Sequence, residues 1–405
     1  MSPAESRPEA VPGAIDLRPW LVLPGMVDLH AHLPQVPNAG LGFSLDLLTW
    51  LDRLTFPTEV AWADPEVAER LAPPIFEAFA AAGTTTVLAY GVVFEAAMDA
   101  AFRAAEVHGI RAILGKVMMD VGTYDPVIEP TTILDRSLRE SADLIDRWHG
   151  ADEGRLGYAV TPRFAVSCTA DMLRESAALA RATGAWWQSH VSEDPLEVEA
   201  VGLLFPEAID YVDVYDRAGA LGERSILAHA IHLSRRELMR LVETETRVAH
   251  CPASNLFLGA GIMPLTRWLE AGLSVGLGTD VAGGPDLSVF SVMRIGAYGQ
   301  MARRSMAGDA GAVLDPLGWL RHATLEGARA LGLDGAIGSI EVGKDADLIA
   351  VDPAYAAALP CTTDDDPADL VSRLIFRAHP DMVRAAWVRG RRLAGPAARP
   401  ASSSA

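Results

Sequence analysis

Two histidines with a single residue between them, His30 and His32, end the run MVDLHAH. In a β-strand, residues i and i+2 project from the same face, so two imidazoles can converge on one cation from one strand. Further along, His190 ends WWQSH, His229 ends SILAH, His250 ends RVAH and Asp280 ends VGLGTD. Each run reads as a strand, and each of these groups falls at its C-terminal end. One histidine at a strand end is ordinarily a hydrogen-bonded core residue. Five of them with an aspartate, all in the same relative position, point to a shared site. Several imidazoles and one carboxylate suit Zn2+ or Fe2+ rather than the harder Mg2+ or Ca2+. His108, His149 and His379 read as surface or loop residues, and His322 as a structural residue opening a helix over ATLEGARALGL.

These groups need strands that end side by side. Between Pro24 and about residue 330 the chain alternates short β-rich runs with longer helical patterns. The runs are LVLPGMVDLH, TTTVLAYG, RAILGKVM, GYAVTPRF, AWWQSHV, SILAHA, RVAHC and SVGLGTD. Their spacing is that of βα units in a parallel sheet, and eight is the number that closes a (β/α)8 barrel. Such barrels carry their chemistry at the C-terminal strand ends, where the histidines lie. The patterns over Asp171–Ala182 and Ser234–Glu243 predict helices opening on Asp and Ser N-caps. From residue 334 the pattern changes: GAIGSIEVGKDADLIAVDP and MVRAAWVRGRRLAG read as strands with Gly turns. The expected organisation is a short N-terminal segment of a β appendage (1–23), an α/β (β/α)8 barrel (24–333), a small C-terminal β appendage (334–396) and a frayed tail (397–405).

Two motifs mimic nucleotide sites. Gly338–Lys344, GSIEVGK, matches the first seven positions of a P-loop, but Asp345 follows where a Ser or Thr hydroxyl is needed for Mg2+. A Gly-turned β-hairpin is the expected structure. Gly276-Leu277-Gly278 lacks the third glycine of a dinucleotide fingerprint, and Asp280 stands where pyrophosphate would lie.

The 405 residues carry 34 Lys and Arg against 53 Asp and Glu, a net charge of −19. That balance argues against a nucleic-acid binder, which needs clustered cations. Half the residues are hydrophobic, so a large core is available. Three widely spaced cysteines, Cys168, Cys251 and Cys361, form neither a disulfide framework nor a CxxC site. With no signal-peptide pattern at MSPAESRPEA and no apolar run of membrane-spanning length, the expectation is a cytoplasmic protein without a membrane or nucleic-acid partner.

PGMVDLHAH, SHVSE, LAHA, HCPASN and GLGTD resemble the amidohydrolase superfamily. A finer resemblance, to the guanine deaminases, is carried by LLTWLDRLTFPTE (47–59), GKVMMD (115–120), TPRFAVSC (161–168), QSHVSEDPLEVEAV (188–201), YVDVYD (211–216), GLGTDVAGG (276–284) and LEGARALGLDGAIGSIEVGKDADLIAVDP (325–353). It is colinear from about residue 20 to 355. Only 23 residues precede Pro24, where such proteins usually carry several strands, so a reduced appendage is expected on that side.

The resemblance implies a metal held by His30, His32, His190 and Asp280: one Zn2+ per chain, with Fe2+ as the alternative. A two-metal relative would need a carboxylated lysine ending the fourth strand; here that strand ends in Thr161-Pro162-Arg163-Phe164, and Lys116 lies on the third. His229 would hydrogen-bond the attacking water, and His250 would lie deeper, near the site but not a ligand. Asp280 would take the water's proton and Glu193 would protonate a ring nitrogen, work generally worth about 10²–10⁴-fold. Gln35 offers a donor and an acceptor to a lactam edge. Arg163 offers a planar fork and Phe164 a stacking face; His190 and His229 would also border the substrate. The implied activity is hydrolytic deamination of guanine to xanthine and ammonia, in purine catabolism or salvage, by a homodimer. The alternatives are deamination of another fused heterocycle such as 8-oxoguanine or a pterin, a triazine-type hydrolase, and a non-catalytic scaffold on the same fold.

Overall fold

The computed structural model describes residues 14–125, 132–307, 313–357 and 366–393. The MSPAESRPEA stretch, Cys361 and the tail 397–405 lie outside them. Thirteen strands are present: β1 (Leu21–Pro24), β2 (Met26–His32), β3 (Thr84–Tyr90), β4 (Arg111–Gly115), β5 (Val117–Met118), β6 (Leu156–Pro162), β7 (Trp186–Val191), β8 (Ser225–His229), β9 (Arg247–His250), β10 (Val275–Leu277), β11 (Leu348–Val351), β12 (Val383–Val388) and β13 (Arg391–Arg392).

Eight of them, β2-β3-β4-β6-β7-β8-β9-β10, are hydrogen-bonded in that order, every pair parallel, and the two-residue β5 also pairs with β6. The ends of this sheet approach each other beyond β10. There the Asp280 amide donates to the His30 carbonyl (2.7 Å) and the His32 amide to the Val281 carbonyl (2.9 Å). The result is a nearly closed (β/α)8 barrel. All eight runs read as strands contribute to it.

Because helices cover the outside, β2, β3 and β6 are buried along their whole length, as parallel strands with two covered faces must be. Leu29, Leu88, Ile113, Ala159, Ile226 and Ala249, one from each of six strands, fill the barrel interior, joined by Ala328 and Ala330 of the helix Leu325–Ala330. On β2 the register against β3 shifts between Asp28 and Ala31. An extra residue in a strand exchanges its two faces. Val27 and Leu29 can therefore pack in this interior cluster while His30 and His32, of the opposite parity, both reach the site above it.

Local signals set the helix ends. The helix Pro65–Ala82 stops at Gly83, whose φ of 97° suits glycine, and β3 begins at the next residue. Ser234 caps Arg235–Glu243 in a capping box with Glu237, as its pattern predicts. The helix expected to open on Asp171 instead spans Ala170–Thr183 and is capped by Thr169, whose hydroxyl accepts from the Met172 amide; Asp171 falls in the first turn. The single helix expected from His322 is two, Pro316–Ala323 and Leu325–Ala330, broken at Thr324.

The second sheet, β1-β11-β12-β13, is antiparallel. Its β12–β13 hairpin turns through Arg389 and Gly390, both at positive φ (50° and 74°), which matches the strand twist. GSIEVGK is not the hairpin expected: residues 338–344 form turns and bends, with β11 starting only at Leu348. The acidic residues that follow dock the sheet on the barrel. Arg111 of β4 donates to Asp347 (3.0 Å) and Asp345 (2.8 Å). Among the described residues no helix is long and apolar enough to cross a membrane.

Candidate active site

At the C-terminal strand ends four side chains meet. His32 Nε2 lies 3.3 Å from His30 Nε2 and 3.4 Å from His190 Nε2. Asp280 Oδ1 lies 3.1 Å from His30 Nε2 and 3.2 Å from His32 Nε2. Donors held about 2.0–2.1 Å from a tetrahedral zinc stand about 3.3–3.4 Å from one another, so this donor set and its spacing fit such an ion. Burial, stronger than the pull of Asp280, holds His30 below the usual imidazole range; burial and then the surrounding imidazoles hold His190 well below it. Both are thus neutral and present lone pairs. Burial would raise Asp280, but His30, His32 and His229 together bring it well below the usual carboxylate range.

Each ring is aimed by its surroundings. His190 Nδ1 donates to the Arg163 carbonyl (2.6 Å), leaving Nε2 for the centre. Asn255 Oδ1 lies 2.9 Å from His229 Nδ1; accepting from it, the amide leaves the ring's Nε2 free of a proton. Buried Asp28 accepts from the His30 amide (3.2 Å) and from the Thr279 amide and hydroxyl (2.9 and 2.6 Å), joining β2 to the segment carrying Asp280. Tyr215 donates to the His190 carbonyl (2.7 Å) and accepts from the Ala165 amide (3.1 Å). Ser192, His229, Ala230 and Asp280 all have φ between 48° and 73°, a backbone state that costs side-chain-bearing residues energy and gathers at functional sites.

His229 Nε2 stands 3.4 Å from Glu193 Oε2 and 3.8 Å from Asp280 Oδ2. Burial pushes the Glu193 carboxyl well up, helped by Asp280, and lowers His229 to about 4. The two carboxyls are thus pushed in opposite directions, Glu193 towards the protonated form and Asp280 towards the anion. Glu193 follows β7 on a turn held by Glu197, which accepts from the Glu193 and Asp194 amides (2.9 and 3.3 Å) and from the Tyr211 hydroxyl (2.7 Å).

A pocket open to solvent lies over these groups. His32, His190, His229, Glu193 and Asp280 line it together with Arg163, Phe164 and an apolar wall of Leu47, Trp50, Leu51 and Leu258. Gln35 is fully buried and not on that wall. Its amide donates to Glu59 Oε1 (2.6 Å), and Arg163 also bonds Glu59, at 2.7 and 3.2 Å. His250 lies outside the donor cluster, beside a smaller cavity with Asn255 and Gln300; burial lowers it to about 3. Lys116 is buried against Glu140 (3.2 Å), away from the centre. His322 donates from Nδ1 to the Val275 carbonyl (2.7 Å), a structural position.

Asp28, Glu59, Tyr215, Asn255 and Glu197 shape this site but were not singled out from the residues. All five lie inside segments that carry the resemblance, and their membership was the available signal.

Comparison with known proteins agrees with this geometry. The model of the amidohydrolase family matches residues 21–393. A probable guanine deaminase of Deinococcus radiodurans is 42% identical over 345 residues, covering 85% of this chain and 76% of that protein. The solved guanine deaminase of E. coli superposes with a TM-score of 0.87 at 31% identity, covering 95% of this chain and 88% of that one. That of C. acetobutylicum, solved with guanine in its active site, gives 0.87 at 28% identity over 94% and 88%. The chain belongs to the amidohydrolase family, alongside its guanine deaminases.

Proposed function

We propose that the protein hydrolyses guanine to xanthine and ammonia, with one Zn2+ held by His30, His32, His190 and Asp280. The observation that carries this reading is a single pocket lined both by the acid–base groups Glu193, His229 and Asp280 and by the base-reading pair Arg163 and Phe164. A bound Zn2+ supplies Lewis acidity that brings the pKa of water towards about 7.

The chain's own groups do the rest. Asp280, an anion at neutral pH, takes a proton from the attacking water. His229 Nε2, buried without a partner among the described residues, accepts a hydrogen bond from that water and orients it. Oxygen adds to the carbon bearing the amino group while Glu193, protonated through burial, donates to the adjacent ring nitrogen. Passage of the proton held by Asp280 to the amino group lets ammonia leave, and the added hydroxyl gives its proton back to Glu193, so that the carbonyl of xanthine forms with the ring nitrogen still protonated. Phe164 gives the ring a stacking face, and Arg163 has guanidinium N–H groups beyond the two given to Glu59. A homodimer working in the cytoplasm completes the reading, on the strength of the resemblance.

Ammonia release from guanine, with and without a chelator, tests this directly, alongside 8-oxoguanine, adenine and pterins. Guanine is expected to be preferred and the chelator to abolish turnover. Preference for another base, or chelator-insensitive turnover, would overturn it.

A further inference from the structure

Glu59 is a fully buried carboxylate with no part in the acid–base chemistry. It sits on the short helix Phe56–Val60, at the end of the same 47–59 segment that contributes Leu47, Trp50 and Leu51 to the pocket wall. It receives Gln35 Nε2 at 2.6 Å and both terminal nitrogens of Arg163 at 2.7 and 3.2 Å. Tyr124 hydrogen-bonds to it as well, and the Phe56 ring lies 5.2 Å from the Arg163 guanidinium carbon.

We propose that Glu59 is the positioning residue that sets the substrate class, holding Arg163 and Gln35 so that the pocket takes a neutral lactam and rejects an anion. The proposal rests on the guanine reading and deepens it. An arginine fork facing a dry pocket without a counter-charge favours carboxylate or phosphate, which it binds bidentately. Here Glu59 already fills that fork. The pair is neutral as a unit, and the remaining N–H groups of Arg163 are donors suited to an uncharged carbonyl. Glu59 also decides how Gln35 is turned. A carboxylate can only accept, so the NH2 group must face it, leaving Gln35 Oε1 as an acceptor. That oxygen is buried with no partner among the described residues. Guanidinium donors with an amide acceptor complement C=O beside ring N–H, the edge of a 6-oxopurine. They do not complement adenine, whose corresponding edge carries a donor where the carbonyl would be and an acceptor where the N–H would be.

The test measures binding of two planar probes, purine-6-carboxamide and purine-6-carboxylate, to metal-loaded protein by calorimetry, beside guanine turnover. The wild type should bind the neutral carboxamide at least about 10-fold more tightly. Glu59→Gln keeps the shape but leaves Arg163 uncompensated. It should reverse that preference and lower kcat/KM on guanine by about 10- to 100-fold, the loss expected for a charged hydrogen bond, mainly through KM and with metal content unchanged. In an Arg163→Met background the same change should cost much less, because only the hold on Gln35 is then left to lose. Equal affinity for the two probes in the wild type would overturn the proposal without any variant folding. So would an unchanged preference in Glu59→Gln, or independent losses in the double variant. If guanine itself is not turned over, the guanine reading fails while the probe preference still judges the clamp.

Discussion

Replacing Glu193 by Gln separates proton transfer from every other property of the pocket. The carboxyl is 3% exposed and its Oε2 is 3.4 Å from His229 Nε2. Burial, reinforced by Asp280, pushes it towards the protonated form. Gln has nearly the same volume and still offers an N–H, so a ligand finds the same shape and a similar donor. What is lost is the ability to give up that proton and take it back. General acid–base catalysis is worth about 10²–10⁴-fold, about 3–5 kcal/mol of barrier at 1.36 kcal/mol per factor of ten. Steady-state ammonia release should therefore show kcat down by that range and KM within a few-fold. Metal content is the control. Glu193, His229 and Asp280 also lie close enough to form a conceivable ligand set. If the variant loses metal along with activity, Glu193 is a ligand and the assignment of acid and base is wrong. If kcat stays near wild type, the carboxyl moves no proton in the slow step.

Three further variants probe the supports. His190→Ala should strip metal and activity together, since three donors remain of the four spaced for a tetrahedral ion; full metal content by atomic absorption would take His190 off the ligand list. Tyr215→Phe leaves the Ala165 amide and the His190 carbonyl without their buried partner, at a cost of about 1–3 kcal/mol; an unchanged denaturation midpoint would contradict the brace assigned to it. Glu197 is pushed up to about 7 by burial, against the hydrogen bonds from Tyr211, Glu193 and Asp194 that lower it. The folded state thus holds its proton more tightly than the unfolded chain, and stability should fall as pH rises from about 4.3 to about 7, by roughly 4 kcal/mol in all. Glu197→Gln should flatten that part of the stability profile, which chemical denaturation at several pH values would reveal; an unaltered slope would mean that Glu197 is ionised in the fold already at low pH.

The barrel was legible because its signal is periodic and local. Eight β-rich runs at βα spacing, and polar groups placed repeatedly at their ends, survive small errors at any one boundary. The metal-type donors were legible for the same reason: His30 and His32 advertise themselves by spacing alone, and the others by position within a run. Helix starts were less so. Thr169 took the cap expected of Asp171 because either side chain can satisfy the first-turn amides, and two residues decide the matter. The GSIEVGK turn failed as a hairpin because a strand requires a partner, and β11 finds its partners in β1 and β12, distant in sequence.

What could not be read was pairing across the barrel. Glu59 meets Arg163 at a separation of 104 residues, Asp28 meets Thr279 at 251, and Asn255 meets His229 at 26. No pattern in the intervening residues announces such contacts, and nothing in LLTWLDRLTFPTE by itself pairs Glu59 with Arg163. The two carboxylates of the centre make the point in energetic terms. Glu193 and Asp280 are the same functional group in the same pocket, both nearly inaccessible to water. Desolvation pushes both towards the protonated form. Only Asp280 has His30 and His32 within 3.2 Å to reverse that push, whereas Glu193 has Asp280, Glu197 and Asp194 adding to it. One pocket thereby holds an acid and a base at one pH, a division of labour created by which neighbours the fold delivers to each.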